Sequence, residues 1–160
     1  MRSATKLVAT GLLGICGLAA PANATDILHS ANYCQPQYAY SNHIAYNNYG
    51  VYNNGAAAEK VECPFSLPYS GALTVNAVHL TVYDRSSTSN IQCTIRGIDV
   101  AGKQLWASTV ASSGSDSTHS FLTATINEAT LGTMHMACLL PGKQGSAVSV
   151  ISTYRVVTTP

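Results

Sequence analysis

The sequence predicts an all-β protein: an antiparallel β-sandwich, immunoglobulin-like or jelly-roll, with two disulfides. Three observations predict this fold. From Val61 onward the apolar residues recur with a period of two, which is typical of half-buried strands. Loops rich in Ser, Gly and Asn separate these stretches, and no stretch combines a sustained helical period with helix caps. Strands with one apolar face are buried most simply by stacking two sheets.

The first 24 residues have the pattern of a secretory signal peptide. Arg2 and Lys6 give a positive start, and an uncharged, mostly apolar stretch follows from Leu7 to Leu18. That stretch is shorter than the roughly 20 residues that a membrane span needs. Ala22-Asn23-Ala24 is an A-x-A cleavage site, so we predict cleavage after Ala24 and a secreted protein, extracellular or periplasmic. Lipid attachment at Cys16 is the alternative.

The composition of the mature chain argues against several classes of partner. Loss of Arg2 and Lys6 takes the formal net charge from +1 to −1. Such a chain offers no basic strip for a phosphate backbone, so we predict no nucleic-acid partner. Charged residues make up 9% of the sequence, which is too sparse for a solvated disordered chain. No apolar run after Leu18 is long enough to span a membrane, so the mature chain has no predicted transmembrane segment.

Four cysteines remain after cleavage: Cys34, Cys63, Cys93 and Cys138. An even number in an exported chain predicts disulfides, and four cysteines allow three connectivities. We favour Cys34–Cys63, which would pin the N-terminal segment to the first clear strand, and Cys93–Cys138, which would join two strand interiors. The spacing contains no C-x-x-C motif, so we predict no metal site and no cofactor.

The strands follow in order along the chain. We predict about seven or eight of them. Alternation indicates strands over 49–53, 73–83, 91–98, 104–110, 121–126, 134–140 and 147–157. The inward face switches near Ala77–Val78, which suggests a β-bulge or a strand buried on both sides. Asp99-Val100-Ala101-Gly102 is a turn signal that makes the third and fourth of these strands a hairpin.

Residues 25–48 differ from the rest, and we interpret them as an irregular Tyr/Asn-rich segment before a sandwich domain at 49–160. Six of the nine tyrosines fall between Tyr33 and Tyr52. The candidate binding residues are Tyr38, Tyr40, Tyr46, Tyr49 and Tyr52. Three uses fit these rings: covering an open sheet edge, self-association, or stacking against a glycan. Trp106 is predicted to pack against the core.

Several motifs resemble those of a group of small exported bacterial β-rich proteins of uncharacterised function with four mature cysteines. The motifs are Tyr49-Gly50-Val51-Tyr52-Asn53-Asn54, Val61-Glu62-Cys63-Pro64, Val82-Tyr83-Asp84-Arg85, Cys93-Thr94, Cys138-Leu139-Leu140-Pro141 and Ser152-Thr153-Tyr154-Arg155-Val156. They are structural in type. The resemblance implies a disulfide-bonded β domain and implies no catalytic residue.

Sequence motifs of catalysis are absent. There is no G-x-S-x-G elbow, H-E-x-x-H pair or phosphate-binding loop. His79, Asp84 and His119 supply the residue types of a serine-hydrolase triad, and His79 and His135 would form a metal pair only if they met across a sheet. We predict no catalytic residues.

The function predicted from the sequence is non-enzymatic binding or assembly in the cell envelope or outside the cell, with self-association through strand edges. The first alternative is a carbohydrate-binding module that takes an extracellular glycan. The second is a small secreted hydrolase. An assembly protein would form larger particles as its concentration rises, whereas a glycan binder would stay monomeric.

Overall fold

The computed structural model describes residues 24–38, 41–67, 73–114, 118–130 and 133–159. The predicted leader, apart from Ala24, lies outside these residues, and so does Cys16. Within them the chain forms eleven strands and one short 3₁₀ helix. These are β1 (Thr25–Ser30), the 3₁₀ helix (Ala31–Tyr33), β2 (Gln35–Pro36), β3 (Ile44–Asn47), β4 (Gly50–Asn53), β5 (Glu59–Pro64), β6 (Leu73–Tyr83), β7 (Gln92–Ile98), β8 (Gln104–Ala111), β9 (Ser120–Thr130), β10 (Thr133–Leu140) and β11 (Val150–Thr159).

The strands form two antiparallel sheets that enclose one apolar core, which confirms the predicted β-sandwich. One sheet has six strands in the order β3-β4-β11-β6-β9, and β1 also pairs with β11. The other has five strands in the order β2-β5-β10-β7-β8. Alternating side chains of β6 and β10 are buried, so each sheet turns one face inward and the other outward. The described part of the chain contains no helix that is long and apolar enough to cross a membrane.

Both disulfides follow the predicted pairing, Cys34–Cys63 and Cys93–Cys138. All four cysteines are buried in the core. Cys93 lies directly opposite Cys138 across β7 and β10, and Gln35 of β2 pairs with Glu62 next to Cys63. The first bridge therefore ties the residue before β2 to β5, and the second joins the neighbouring strands β7 and β10.

The predicted hairpin and bulge are confirmed. β7 pairs with β8 across the Asp99 turn, where the Asp99 carboxylate accepts hydrogen bonds from two backbone N–H groups of the turn. The register of β6 against β11 shifts between Val75 and Ala77, where β6 has one extra residue, close to the predicted switch of faces. The register of β6 against β9 shifts at the same place, and there one extra residue lies on β9, where Asn127 has a φ of 54°.

Residues 25–48 contain more regular structure than the sequence indicated. β1 pairs with β11 over six residues, β2 pairs with β5, and β3 pairs with β4. These strands are short and show no clear alternation, so their pairing partners rather than their own pattern define them. The segment covers strand edges of both sheets, one of the three uses expected for it. The division of the chain at residue 48 stays a prediction.

Two aromatic residues link the core to its surroundings. Tyr154 is buried, and its hydroxyl donates a hydrogen bond of 2.6 Å to the Pro64 carbonyl of the opposite sheet. Burial raises the pKa of Tyr154 to about 12. Trp106 packs on the core as predicted, over Gly97, where a Cβ would lie 2.4 Å from the indole ring.

Candidate functional site

An open groove of about 370 Å³ lies at one end of the six-stranded sheet. Its lining comes from three places in the chain: the β3–β4 turn, the end of β6 and the start of β11. The lining residues are Asn47, Tyr49, Tyr83, Arg85, Val148 and Val150. The volume is within the range of about 300–1,000 Å³ that is usual for small-molecule sites.

The strand register explains why these segments meet. β11 lies between β4 and β6 in the sheet, and Val150 pairs with Tyr52 on one side and Tyr83 on the other. Val150 is nearly fully buried and gives the groove an apolar base. The β3–β4 turn, with Tyr49, and the end of β6, with Tyr83, therefore lie on opposite sides of Val150.

Asn47 shapes the side of the groove formed by the β3–β4 turn. Its Oδ1 accepts hydrogen bonds from the backbone N–H groups of Tyr49 (2.8 Å) and Gly50 (3.1 Å), which closes the turn. Its side-chain NH₂ makes no hydrogen bond to any described residue. The turn therefore leaves a pair of amide donors beside the exposed Tyr49 ring.

Gly50 is required for the close approach of β4 to β11. Its φ is 135°, in the region that side chains disfavour, and a Cβ there would lie 1.9 Å from the Ile151 carbonyl oxygen. Any other residue would displace the turn that carries Tyr49. This glycine therefore fixes the width of the groove as well as the strand pairing.

The Tyr83 ring is held from one side. Its centroid lies 3.7 Å from that of the His119 ring, with the two planes tilted by 45°. His119 precedes β9, so the contact ties the end of β6 to the next strand. A ring restrained in this way loses less conformational entropy when it binds a ligand.

Asp84, between Tyr83 and Arg85, points into the protein and is buried. Its Oδ1 accepts hydrogen bonds from Ser149 Oγ (2.9 Å) and Ser86 N (3.1 Å). Its Oδ2 accepts from Ile91 N (3.3 Å) and from Ser112 Oγ. These four bonds hold the chain after β6 in place.

Arg85 is anchored through its backbone and free at its side chain. Its N–H donates to Ser149 Oγ at 3.0 Å. The ion pairs among the described residues are Glu62 with His135 and Asp26 with Arg155, so the exposed guanidinium of Arg85 has no carboxylate partner there. Arg85 is also the charged member of the groove lining. The site therefore combines two phenol rings, an amide and one positive charge.

The structure separates the five tyrosines predicted as binding residues. Tyr49 lines the groove and is 67% exposed. Tyr52 follows it on β4, half-buried. Tyr38 is 70% exposed but does not line the groove, and Tyr40 lies outside the described residues.

The fifth of these tyrosines, Tyr46, has a structural contact. Its hydroxyl donates a hydrogen bond of 2.9 Å to the carbonyl oxygen of Cys34. Partial burial raises the pKa of Tyr46. The side chain therefore ties β3 to the start of β2, next to the first disulfide. A binding role for the tyrosines stays a prediction.

Three of the groove residues were not predicted from the sequence: Tyr83, Arg85 and Asn47. One signal was available, because in an extended chain Tyr83 and Arg85 share a face and Asp84 takes the other. The contribution of Asn47 depends on the approach of β4 to β11. No local pattern in the sequence marks that long-range pairing.

The structure does not bring together the residues considered for a serine-hydrolase triad or those considered for a metal pair. The described hydrogen bonds of Asp84 come from serines and backbone groups, and His119 stacks on Tyr83. His79 bonds Thr123 on the six-stranded sheet, whereas His135 contacts Glu62 on the five-stranded sheet. The two histidines of the supposed metal pair therefore belong to different sheets.

No family model matches the chain, and a search of curated proteins finds no significant match. Among solved structures, the chain is similar to the CBM36-1 domain of a multidomain xylanase from the hindgut metagenome of Trinervitermes trinervoides, with 12% identity, a TM-score of 0.49, and coverage of 82% of this chain and 96% of that one. It is also similar to a carbohydrate-binding module CBM36 in complex with calcium and xylotriose, with 14% identity, a TM-score of 0.48, and coverage of 81% and 98%. A third similar structure is dimeric latent PorU from Porphyromonas gingivalis, with 14% identity, a TM-score of 0.40, and coverage of 85% of this chain and 12% of that one.

Proposed function

We propose that this protein is a secreted, non-catalytic carbohydrate-binding protein that holds a glycan in the groove between Tyr49 and Tyr83. The observation that carries the proposal is the composition of the groove lining. Phenol rings present flat apolar faces to a sugar ring, while amide and guanidinium donors bond its oxygens. This favours the first alternative from the sequence over self-association.

The groove fits binding better than hydrolysis. Glycoside hydrolysis usually needs a pair of carboxyl groups that flank the scissile bond. Asp84, the carboxylate next to the groove in sequence, turns inward and has both oxygens occupied by four hydrogen bonds. The lining side chains are suited to hold and orient a ligand.

The experiment is a binding survey of the mature protein against soluble polysaccharides, by affinity electrophoresis and then calorimetry. Tyr49→Ala is expected to weaken binding about tenfold, because an aromatic stacking contact contributes about 0.5–1.5 kcal/mol beyond area burial. Tyr38→Ala is the matched control, since Tyr38 is equally exposed and lies outside the groove lining. Equal losses in the two variants, or no binding to any polysaccharide, would contradict the proposal.

Export is part of the same proposal. Cleavage after Ala24 would leave Thr25, the first residue of β1, as the new N-terminus and keep that strand whole. Paired cysteines persist in an oxidising compartment. N-terminal sequencing of the protein recovered outside the cytoplasm tests the site, and a first residue other than Thr25 would contradict it.

Self-association is a second candidate function, favoured by one observation. β9 is an eleven-residue strand at the end of the six-stranded sheet, and Phe121 on it is 77% exposed. Light scattering across a concentration series tests this candidate. The candidate would be supported if the particle mass rises with concentration and Phe121→Ser abolishes this rise. Val100→Ser, at an exposed turn residue, is the control and should leave the rise intact. A strict monomer would remove it.

A further inference from the structure

The charge in the groove identifies a narrower class of ligand. Among the described residues, Arg85 is the charged one in the lining, and none of the others offers its guanidinium an ion pair or a hydrogen bond. A neutral sugar does not need an arginine held in this way. An arginine guanidinium can bond both oxygens of a carboxylate at once, which a neutral hydroxyl cannot match.

Asp84 does not neutralise this charge by direct contact. Its carboxylate is buried on the other side of the chain and is bonded by Ser149, Ser112 and two backbone N–H groups. Ser149 Oγ at the same time accepts the Arg85 N–H. The backbone of Arg85 is thus fixed while its side chain remains available to a ligand.

The other polar groups of the groove also favour an acceptor-rich ligand. The Asn47 Oδ1 is occupied by two backbone N–H groups, so Asn47 presents its NH₂ donors. The hydroxyls of Tyr49 and Tyr83 make no hydrogen bond to described residues and are free to donate. Donors converge on a groove that contains no lining carboxylate among the described residues.

We propose that the groove binds an anionic glycan, one whose sugar rings carry a carboxylate or a sulfate, with the acidic group on Arg85 and a sugar ring against Tyr49 or Tyr83. This inference rests on the proposed carbohydrate-binding function and adds the class of sugar. The carboxylate of a uronic acid and a sulfate ester share the chemistry that Arg85 recognises.

The test measures the affinity of the mature protein for two matched pairs of polymers. Polygalacturonate and its methyl ester have the same sugar backbone and differ in whether the carboxyl group is charged, and dextran sulfate and dextran have the same backbone and differ in the charged sulfate esters. We expect the acidic member of at least one pair to bind at least about tenfold more tightly. A hydrogen bond to a charged group contributes enough free energy to change an affinity by about this factor or more. The pair that shows the preference identifies the acidic group as carboxylate or sulfate.

Arg85→Gln is expected to remove this preference, because it should lower the affinity for the acidic polymer much more than the affinity for the neutral one. Arg96→Gln is the matched control: it makes the same change of charge at an exposed arginine of the five-stranded sheet. Thermal unfolding of both variants checks that the fold is intact. A loss of preference with Arg85→Gln alone would support the inference.

The inference and the proposed function fail in different ways. Equal affinity for acidic and neutral polymers, or equal effects of the two arginine variants, would overturn the anionic specificity and leave a neutral carbohydrate-binding protein. No binding to any of the four polymers, combined with none in the wider survey, would overturn the proposed function itself.

Discussion

The buried carboxylate of Asp84 gives the sharpest test of how the groove end is held together. Asp84→Asn preserves shape and replaces one acceptor oxygen by a donor. Because each oxygen of Asp84 accepts one hydroxyl and one backbone N–H, either orientation of the amide places its NH₂ against two donors. A hydroxyl can turn and accept instead, but a backbone N–H cannot.

The size of the loss follows from these bonds. The NH₂ is expected at the Oδ2 position, because Ile91 N has a second acceptor there, Ser112 Oγ at 2.9 Å. Two hydrogen bonds to a charged group are lost, each contributing about 1.5–3 kcal/mol, and a neutral bond to the turned Ser112 hydroxyl recovers about 1 kcal/mol. We expect Asp84→Asn to lower the free energy of unfolding by about 2–5 kcal/mol. Asp84→Ala, which removes all four bonds, should cost more.

Urea unfolding, followed by the fluorescence of the single tryptophan, measures this change. Asp99→Asn is the matched control. Asp99 is only partly buried, and both of its side-chain bonds to the turn go to Oδ1, so an amide keeps both and the expected change is under about 0.5 kcal/mol. If Asp84→Asn were as mild as Asp99→Asn, the reasoning that the four bonds hold this end of the sandwich would be refuted.

Three further predictions concern the core. Burial raises the pKa of Tyr154 to about 12, so the stability that depends on its neutral hydroxyl is complete below about pH 10 and is lost as the pH rises toward 12. Tyr154→Phe should therefore flatten the profile of unfolding free energy against alkaline pH. An unchanged profile would contradict this. His29 stacks on Tyr154 with 4.9 Å between centroids, and burial lowers its pKa, so stability should fall as the pH drops below about 6.5, and His29→Phe should remove that part of an acid titration. The Cys93–Cys138 bridge closes a sequence separation of 45 residues, so replacing both cysteines by Ala should lower the free energy of unfolding by about 4 kcal/mol. Urea unfolding of the oxidised protein measures this change. A decrease of under about 1 kcal/mol would contradict the chain-entropy explanation.

The sequence was most informative where local pattern and tertiary role agree. Apolar and polar residues alternate along β6 and β10 because one face of each strand is buried against the opposite sheet. The positions of the apolar residues therefore indicate both the strand and its inward face. The cysteine pairing was predictable because Cys93 and Cys138 each occupy an inward position in an alternating strand.

The N-terminal strands and the groove were harder to predict for a shared reason. β1 gains its conformation from six paired residues of β11, which lie more than 120 positions later in the chain. Similarly, Tyr83 and Tyr49 become neighbours of one groove only through their strands' separate pairing with β11. Such contacts are specified by the whole arrangement of strands, and a local window contains none of that information.

The two sheets of the sandwich are stabilised in different ways. Cys93–Cys138 joins two strands of the five-stranded sheet and Cys34–Cys63 ties the residue before β2 to β5 of the same sheet, whereas the groove lies on the six-stranded sheet. At the groove end the sheets are joined by hydrogen bonds: Asp84, after β6, accepts from Ser112, which follows β8 of the other sheet. Covalent bracing therefore secures the sheet opposite the ligand, and the polar cluster around Asp84 secures the groove. Asp84→Ala, which removes the bond to Ser149 and with it the support of the Arg85 N–H, should consequently weaken glycan binding. Loss of the Cys93–Cys138 bridge should lower stability while leaving the affinity of the folded fraction unchanged.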